Sequence, residues 1–327
     1  MYQEFFALRE LPFELTANPK YLYLTPRHRE ALSNLQYGLS AAKAVTLLIG
    51  EAGMGKTTLL KAALGSERCR YVRAVCVNNP TLTRGEFLEM LARSFALTLV
   101  ARQSKAALLE ELEKALIERR SRGEISALVV DEAQSLSTEI LEEIRLLANI
   151  ETPEAKLLPL VLVGQPELST RLEDAGLRQL KQRVALRCEI TPLTLSETGE
   201  YIATRIKAAG GVAVRLFTRQ AVVLIYEYSQ GLPRTISVIC DNALASAFAL
   251  GRQSVDQDIV REVGRDFRLV RPHQPAGTPV AWAGTIAPPV HQRAAVQAPP
   301  HSSDGDEDTE PEAAGYGMFR FFRGRRQ

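Results

Sequence analysis

No run in this 327-residue sequence approaches the roughly 20 consecutive apolar residues that a bilayer-spanning helix needs. The opening, MYQEFFALRELPFEL, interleaves acids with its apolar residues and lacks the unbroken apolar stretch of a secretory signal. Among the four cysteines, Cys69, Cys76, Cys188 and Cys240, no pair has the spacing of a zinc or redox motif. Each sits among apolar neighbours and reads as a buried free thiol, which fits a reducing compartment. Net charge is only +2, so no global field draws the chain to nucleic acid or to a membrane. No internal repeat is visible. These absences predict a cytoplasmic protein and leave local patches as the only electrostatic handles.

What is present is ordinary globular composition, 46% hydrophobic and 24% charged. Residues 1–28 carry Phe5, Phe6, Pro12, Phe13, Pro19, Tyr21, Tyr23 and Pro26, and read as an irregular segment packed on a domain. A helix is expected over about 26–42, with Pro26 in its first turn and Leu32, Leu35 and Leu39 at helical spacing. Short apolar runs then alternate with helical periods. Strands are expected at Val45–Ile49, Tyr71–Val77, Ala127–Val130, Leu157–Val163 and Val184–Ile190, and helices at 56–64, 83–97, 105–120 and 137–148. That alternation predicts an α/β fold, a parallel sheet covered by helices on both faces.

From Ser196 onward the strands stop. Helices are expected at 196–209, 218–228, 233–250 and 255–265. Ser196 is a plain N-cap candidate, because the residue three positions on is Gly199 rather than an acid. After Leu269 the composition shifts to Pro, Ala, Gly and acids, too poor in apolar area to offset chain entropy, and the end, GMFRFFRGRRQ, interleaves phenylalanine with arginine. The expected organisation is an N-terminal segment and helix at 1–40 packing on the core near a base-binding site, an αβα core at 41–195, a helical second domain at 196–269, and a disordered tail at 270–327.

One motif carries chemistry. Gly50, Glu51, Ala52, Gly53, Met54, Gly55, Lys56 and Thr57 fit G-x-x-x-x-G-K-S/T between an apolar strand and a helix, and Thr58 follows as a further binding candidate. Glycines let backbone N–H groups curl toward one point, and the following helix aims its positive end there. Lys56 then reaches β- and γ-phosphates, and the Thr57 hydroxyl holds Mg²⁺. The matching carboxylates are Asp131 and Glu132, closing the buried run ALVV. Ligands in open α/β sheets sit beyond the carboxyl ends of strands. Asp131 suits the metal, Glu132 suits the attacking water, and the tandem acid points to hydrolysis rather than to transfer onto a second substrate.

With these residues in place the sequence resembles the general secretion pathway protein A family, the ExeA-like AAA+ ATPases. MYQEFFALRELPFELTANPKYLYLTPRHREAL, GEAGMGKTT, DEAQSLSTEILEEIRLLANIE, VLVGQPEL, LRQLKQRV and GLPRTISVICDNAL follow that family's order over residues 1–265. The resemblance implies a P-loop core, a helical lid and assembly into homo-oligomeric rings or related forms. It implies Gln165 as a sensor of the γ-phosphate, Arg183 as a finger offered to a neighbour's ATP with Arg178 and Arg187 as competitors, and Arg234 as a second sensor from the lid. His28 is expected to help wall the adenine pocket, against the alternative of an ordinary core or surface histidine. Secretion members continue into a transmembrane helix and a peptidoglycan-binding region, and residues 270–327 carry neither.

Two functions follow as expectations. The first is an ATP-hydrolysing motor or switch serving an envelope secretion, pilus or exopolysaccharide machine, with the C-terminal tail offering peripheral contact with the inner membrane or a partner. The second is a DNA-associated regulator of the transposition-helper or initiator type, not favoured because arginines cluster only modestly, at 68–73, 119–122 and 178–187. A scaffold with a dead site is disfavoured because no motif residue is missing.

Overall fold

A computed structural model describes residues 2–78, 82–98 and 104–269. Five parallel strands form its sheet: β1 (Val45–Ile49), β2 (Val72–Val77), β3 (Ile125–Val130), β4 (Leu160–Gly164) and β5 (Val184–Glu189), in the order β2-β3-β4-β1-β5. All five residues of β1 and of β4 are buried, which is why these runs read as continuous apolar stretches.

Strand periodicity splits the core into two layers. Val45, Leu47 and Ile49, Leu128 and Val130, and Leu160 and Leu162 face one helical layer. That layer is built by Phe87 and Leu91 of helix Arg84–Ser94, Leu108, Leu112 and Leu116 of helix Lys105–Ser121, and Ile140, Leu141, Ile144 and Leu147 of helix Thr138–Leu147. The alternate residues Leu48, Ala127, Val129, Val161 and Val163 face the other layer, where helices Pro26–Ser40 and Lys56–Leu64 contribute Leu35, Leu39, Leu59 and Leu60. On the first layer, Glu143 is buried yet paired with both Arg84 (2.5 Å) and Lys105 (2.9 Å), clamping three helices.

A third apolar cluster contains no strand. Helices Leu195–Ala208, Arg219–Ser229, Pro233–Ala249 and Gln257–Asp266 pack on one another, joined by Tyr2, Phe6, Leu8 and Phe13 from the N-terminus. Arg205 fastens this junction. Its guanidinium donates to the carbonyls of Pro12 (2.5 Å) and Glu14 (2.8 Å) and to the Tyr201 hydroxyl (2.8 Å), and it lies 4.9 Å from the Tyr21 ring centroid.

Several details differ from expectation. The N-terminal segment is not wholly irregular: it holds a helical turn, Tyr2–Phe5, and a 3-10 turn, Pro19–Tyr21. The helix expected to start at Ser196 is capped by Thr194, whose hydroxyl accepts from the Glu197 N–H (3.2 Å) while the Glu197 carboxylate accepts from the Thr194 N–H (2.8 Å). The reciprocal box starts two residues earlier than a search anchored on Ser196. β4 begins at Leu160 rather than Leu157, because the Leu157 N–H turns back to the Ile150 carbonyl (3.1 Å). Cys69, Cys188 and Cys240 are buried, but Cys76 is exposed, near the end of the edge strand β2. The tail expected at 270–327 lies outside the described residues.

Candidate nucleotide-binding site

Strand order builds the site. β1, β3 and β4 are far apart in sequence but adjacent in the sheet as β3-β4-β1, with neighbouring strands about 4.8 Å apart. The glycine loop after β1, the acids after β3 and Gln165 after β4 therefore emerge side by side. The Gly50 N–H donates to the Gly164 carbonyl (3.2 Å), tying the loop's start to the β4 tip.

In the loop, Gly53 and Gly55 adopt φ of +80° and +86°, the left-handed region that side chains resist. Gly55 is the N-cap of helix Lys56–Leu64, so the loop ends where the helix presents its unpaired N–H groups. A Cβ at Gly53 would stand 2.7 Å from the Arg234 Cβ, and the Arg234 N–H donates to the Gly53 carbonyl (3.1 Å). The loop and the start of helix Pro233–Ala249 thus touch through their backbones.

Lys56 is buried, and its ammonium donates to the carbonyls of Gly50 (2.8 Å) and Glu51 (3.0 Å). Burial holds its pKa below the usual lysine value, against the pull of nearby Glu132 and Asp131. It forms no ion pair among the described residues. The Thr57 hydroxyl donates to Asp131 Oδ2 (2.7 Å), and Asp131 Oδ1 accepts from the Glu132 N–H (2.9 Å). Glu132 itself has φ +54°, a strained backbone for a residue with a side chain. Its Oε2 accepts from Gln134 Nε2 (2.7 Å) and from Gln165 Nε2 (3.3 Å).

A cleft of about 280 Å³ opens above this group. Gly53, Gly55, Lys56, Thr57, Thr58, Glu132 and Arg234 line it, and residues 14–17 of the N-terminal segment form a wall. A narrower extension of about 60 Å³ is lined by Met54, His28, Tyr23 and Leu193. His28 is buried, with Nδ1 2.7 Å from the Thr25 hydroxyl, and burial lowers its pKa, favouring the neutral ring. Glu51 and Ala52 are exposed at the loop's crest.

The structure does not bring the three candidate finger arginines to this cleft. Arg183 is half-buried just ahead of β5, while Arg178 and Arg187 are exposed, Arg187 reaching the Ser169 hydroxyl (3.1 Å). Arg205 and Tyr201 line both clefts and were not singled out from sequence; no spacing rule marks a contact spanning some 190 residues. Gln134 was also missed, although its place two residues after Glu132 is a local signal.

Gly231 sets the angle at which Arg234 arrives. It has φ +73°, and an added Cβ would lie 2.0 Å from the Leu193 carbonyl oxygen. Gly231→Ala is expected to cost about 1–3 kcal/mol from backbone strain alone. Thermal unfolding should show a midpoint lower by about 2 °C or more. An unchanged midpoint would show that the turn relaxes freely.

A glycine loop, a strand-tip acid pair and a polar strand-tip amide around one cleft on a parallel sheet define a P-loop protein of the AAA+ class. Residues 40–172 match the family model described as an AAA domain. Solved structures share the fold. ORC2 of Aeropyrum pernix, in its ADPNP–ADP complexes, aligns with a TM-score of 0.58 and 20% identity over 78% of this chain and 71% of that one. Cdc6p of Pyrobaculum aerophilum aligns with a TM-score of 0.59 and 20% identity over 78% and 70%.

Among curated relatives, the chain is similar to general secretion pathway protein A of Aeromonas hydrophila. The two are 40% identical over 255 residues, which is 78% of this chain and 46% of that protein. That match upholds the family resemblance carried by the motifs. The chain spans under half the length of this relative. No helix among the described residues is long and apolar enough to cross a membrane.

Proposed function

We propose that this chain binds ATP with Mg²⁺ and hydrolyses it to ADP and phosphate. The observation that carries this reading is the convergence of Lys56, the Thr57–Asp131 pair, the Glu132–Gln165 pair and Arg234 on one cleft. The residues fit the ligands. A buried ammonium held only by carbonyl oxygens is a cation awaiting an anion. A hydroxyl and a carboxylate in contact offer the hard oxygen donors Mg²⁺ takes, the rest coming from phosphate and water. Thr57 and Asp131 would hold the metal, whose charge would offset that of the phosphates.

In this reading Lys56 and the loop N–H groups hold the phosphates, Glu132 orients the attacking water, and Gln165 and Arg234 read the γ-phosphate. His28 and Met54 wall the base, 41–195 is the catalytic core and 196–269 the lid. Arg183 stands outside its own cleft, which supports its being offered to the site of a neighbouring copy. The similarity to general secretion pathway protein A supports an oligomeric switch or motor for an envelope secretion, pilus or exopolysaccharide machine, working at the cytoplasmic side of the inner membrane.

The DNA-associated alternative is the less favoured reading, and three of the nine clustered arginines are held in local ion pairs: Arg70 with Glu67, Arg73 with Glu124, Arg122 with Glu118.

Phosphate release from ATP, with and without Mg²⁺ and with and without duplex DNA, tests the reading. Mg²⁺-dependent release is expected, insensitive to DNA. Mixing Arg183→Ala with Lys56→Ala protein should restore part of the activity each lacks, since one supplies an intact cleft and the other an intact finger. No release by the well-folded protein under any condition overturns the proposal, and DNA stimulation with a steep salt slope would favour the alternative.

A further inference from the structure

The carboxylate of Glu132 is held by two amides, and only Gln165 has so far been given a role. The other, Gln134, sits in the 3-10 turn Ala133–Ser135 that follows the strained Glu132 backbone. This turn folds its side chain back so that Nε2 donates to Glu132 Oε2 (2.7 Å). Its Oε1 accepts from the backbone N–H of Gln165 (3.1 Å). The turn is itself anchored: Arg171 Nη1 donates to the carbonyls of Gln134 (2.6 Å) and Leu136 (2.7 Å). Arg171 closes helix Pro166–Arg171, which begins directly after Gln165. The tips of β3 and β4 are therefore cross-linked by one amide, with a guanidinium fixing its backbone.

We propose that Gln134 is a positioning residue for hydrolysis: it fixes the rotamer of Glu132 and ties that rotamer to the backbone of Gln165. This rests on the assignment of Glu132 as the water-orienting group. Both amides converge on Oε2, while Oε1 receives no hydrogen bond from the described residues and is left to accept from water. A glutamate free to rotate would spend most of its time elsewhere, and catalysis by positioning loses rate in proportion. Because Gln134 accepts from the β4 tip, a displacement of Gln165 by bound phosphate passes to the Glu132 carboxylate through two hydrogen bonds. The half-buried Gln134 satisfies both of its polar ends here, so the geometry is specific to an amide.

The test compares Gln134→Ala, Gln134→Glu, Glu132→Gln and the double variant Glu132→Gln/Gln134→Ala by steady-state phosphate release and by ATP calorimetry. Gln134→Ala is expected to lower kcat roughly 10- to 100-fold, the order found when an outer partner orienting a catalytic ligand is removed, with ATP affinity unchanged. Added to Glu132→Gln it should lower kcat no further, because it acts only through Glu132. Gln134→Glu replaces the donor with a second carboxylate beside Glu132, and its kcat should fall at least as far as that of Gln134→Ala. Full kcat in Gln134→Ala while Glu132→Gln is inactive would overturn this inference and leave the ATPase reading standing. A fully active Glu132→Gln would overturn the assignment of Glu132 as the water-orienting group, on which this inference rests.

Discussion

Lys56→Ala is expected to weaken ATP binding by about a hundredfold or more. The ammonium offers charge-assisted hydrogen bonds to phosphate, each worth about 1.5–3 kcal/mol. Two of them amount to about 3–6 kcal/mol, or roughly 10²–10⁴ in Kd. The fold should not suffer. Lys56 is 5% exposed and bonded to neutral carbonyls, and burial already works against its charge. Removing a desolvated cation therefore leaves the thermal midpoint of the ligand-free protein level or higher. Calorimetry with Mg²⁺ present checks the first half, and an unfolding scan without nucleotide the second. Binding as tight as the parent's would mean the loop N–H groups hold the phosphates alone.

Glu132→Gln is expected to separate binding from turnover. The amide keeps the shape of the side chain, and its single carbonyl oxygen can take the place of Oε2 in accepting from Gln134 and Gln165. What is lost is the negative charge that polarises water. A general base contributes typically 10²–10⁴-fold, and kcat should fall by about that factor while ATP affinity holds. Single-turnover measurement on preloaded protein makes the distinction, since a binding defect and a chemical defect diverge there. A kcat within about twofold of the parent would exclude Glu132 as the residue acting on water.

The elements that could be read before the structure were those whose signal is local. Val45–Ile49 and Lys56–Leu64 fall where the apolar run and the glycine loop put them, because a strand buried on both faces and a helix opening on glycine each mark the chain directly. Asp131 was placed with Thr57 on a motif argument, and the two are in contact at 2.7 Å. The contacts that escaped join distant segments. Arg205 reaches the Pro12 carbonyl across the sequence, and nothing in the periodicity of helix Leu195–Ala208 distinguishes that arginine from a solvated one. The box of Thr194 with Glu197 lies in the sequence two residues ahead of the Ser196 candidate, and only the structure shows that the helix starts there. Cys76 looked buried among valines, but an edge strand leaves one side open and composition cannot show which.

The attachment made by Arg205 bears on how this protein should be handled at the bench. The first seventeen residues look dispensable on paper, a short lead before the recognisable core. In three dimensions they are bolted to helices that begin almost two hundred residues later, and they complete one side of the space where a ligand would sit. Trimming them would expose Ile206, Phe217 and their apolar neighbours to solvent and unroof the cavity in a single cut. A shortened version that precipitates or fails to bind would then report the loss of a shared wall, not the loss of an independent module.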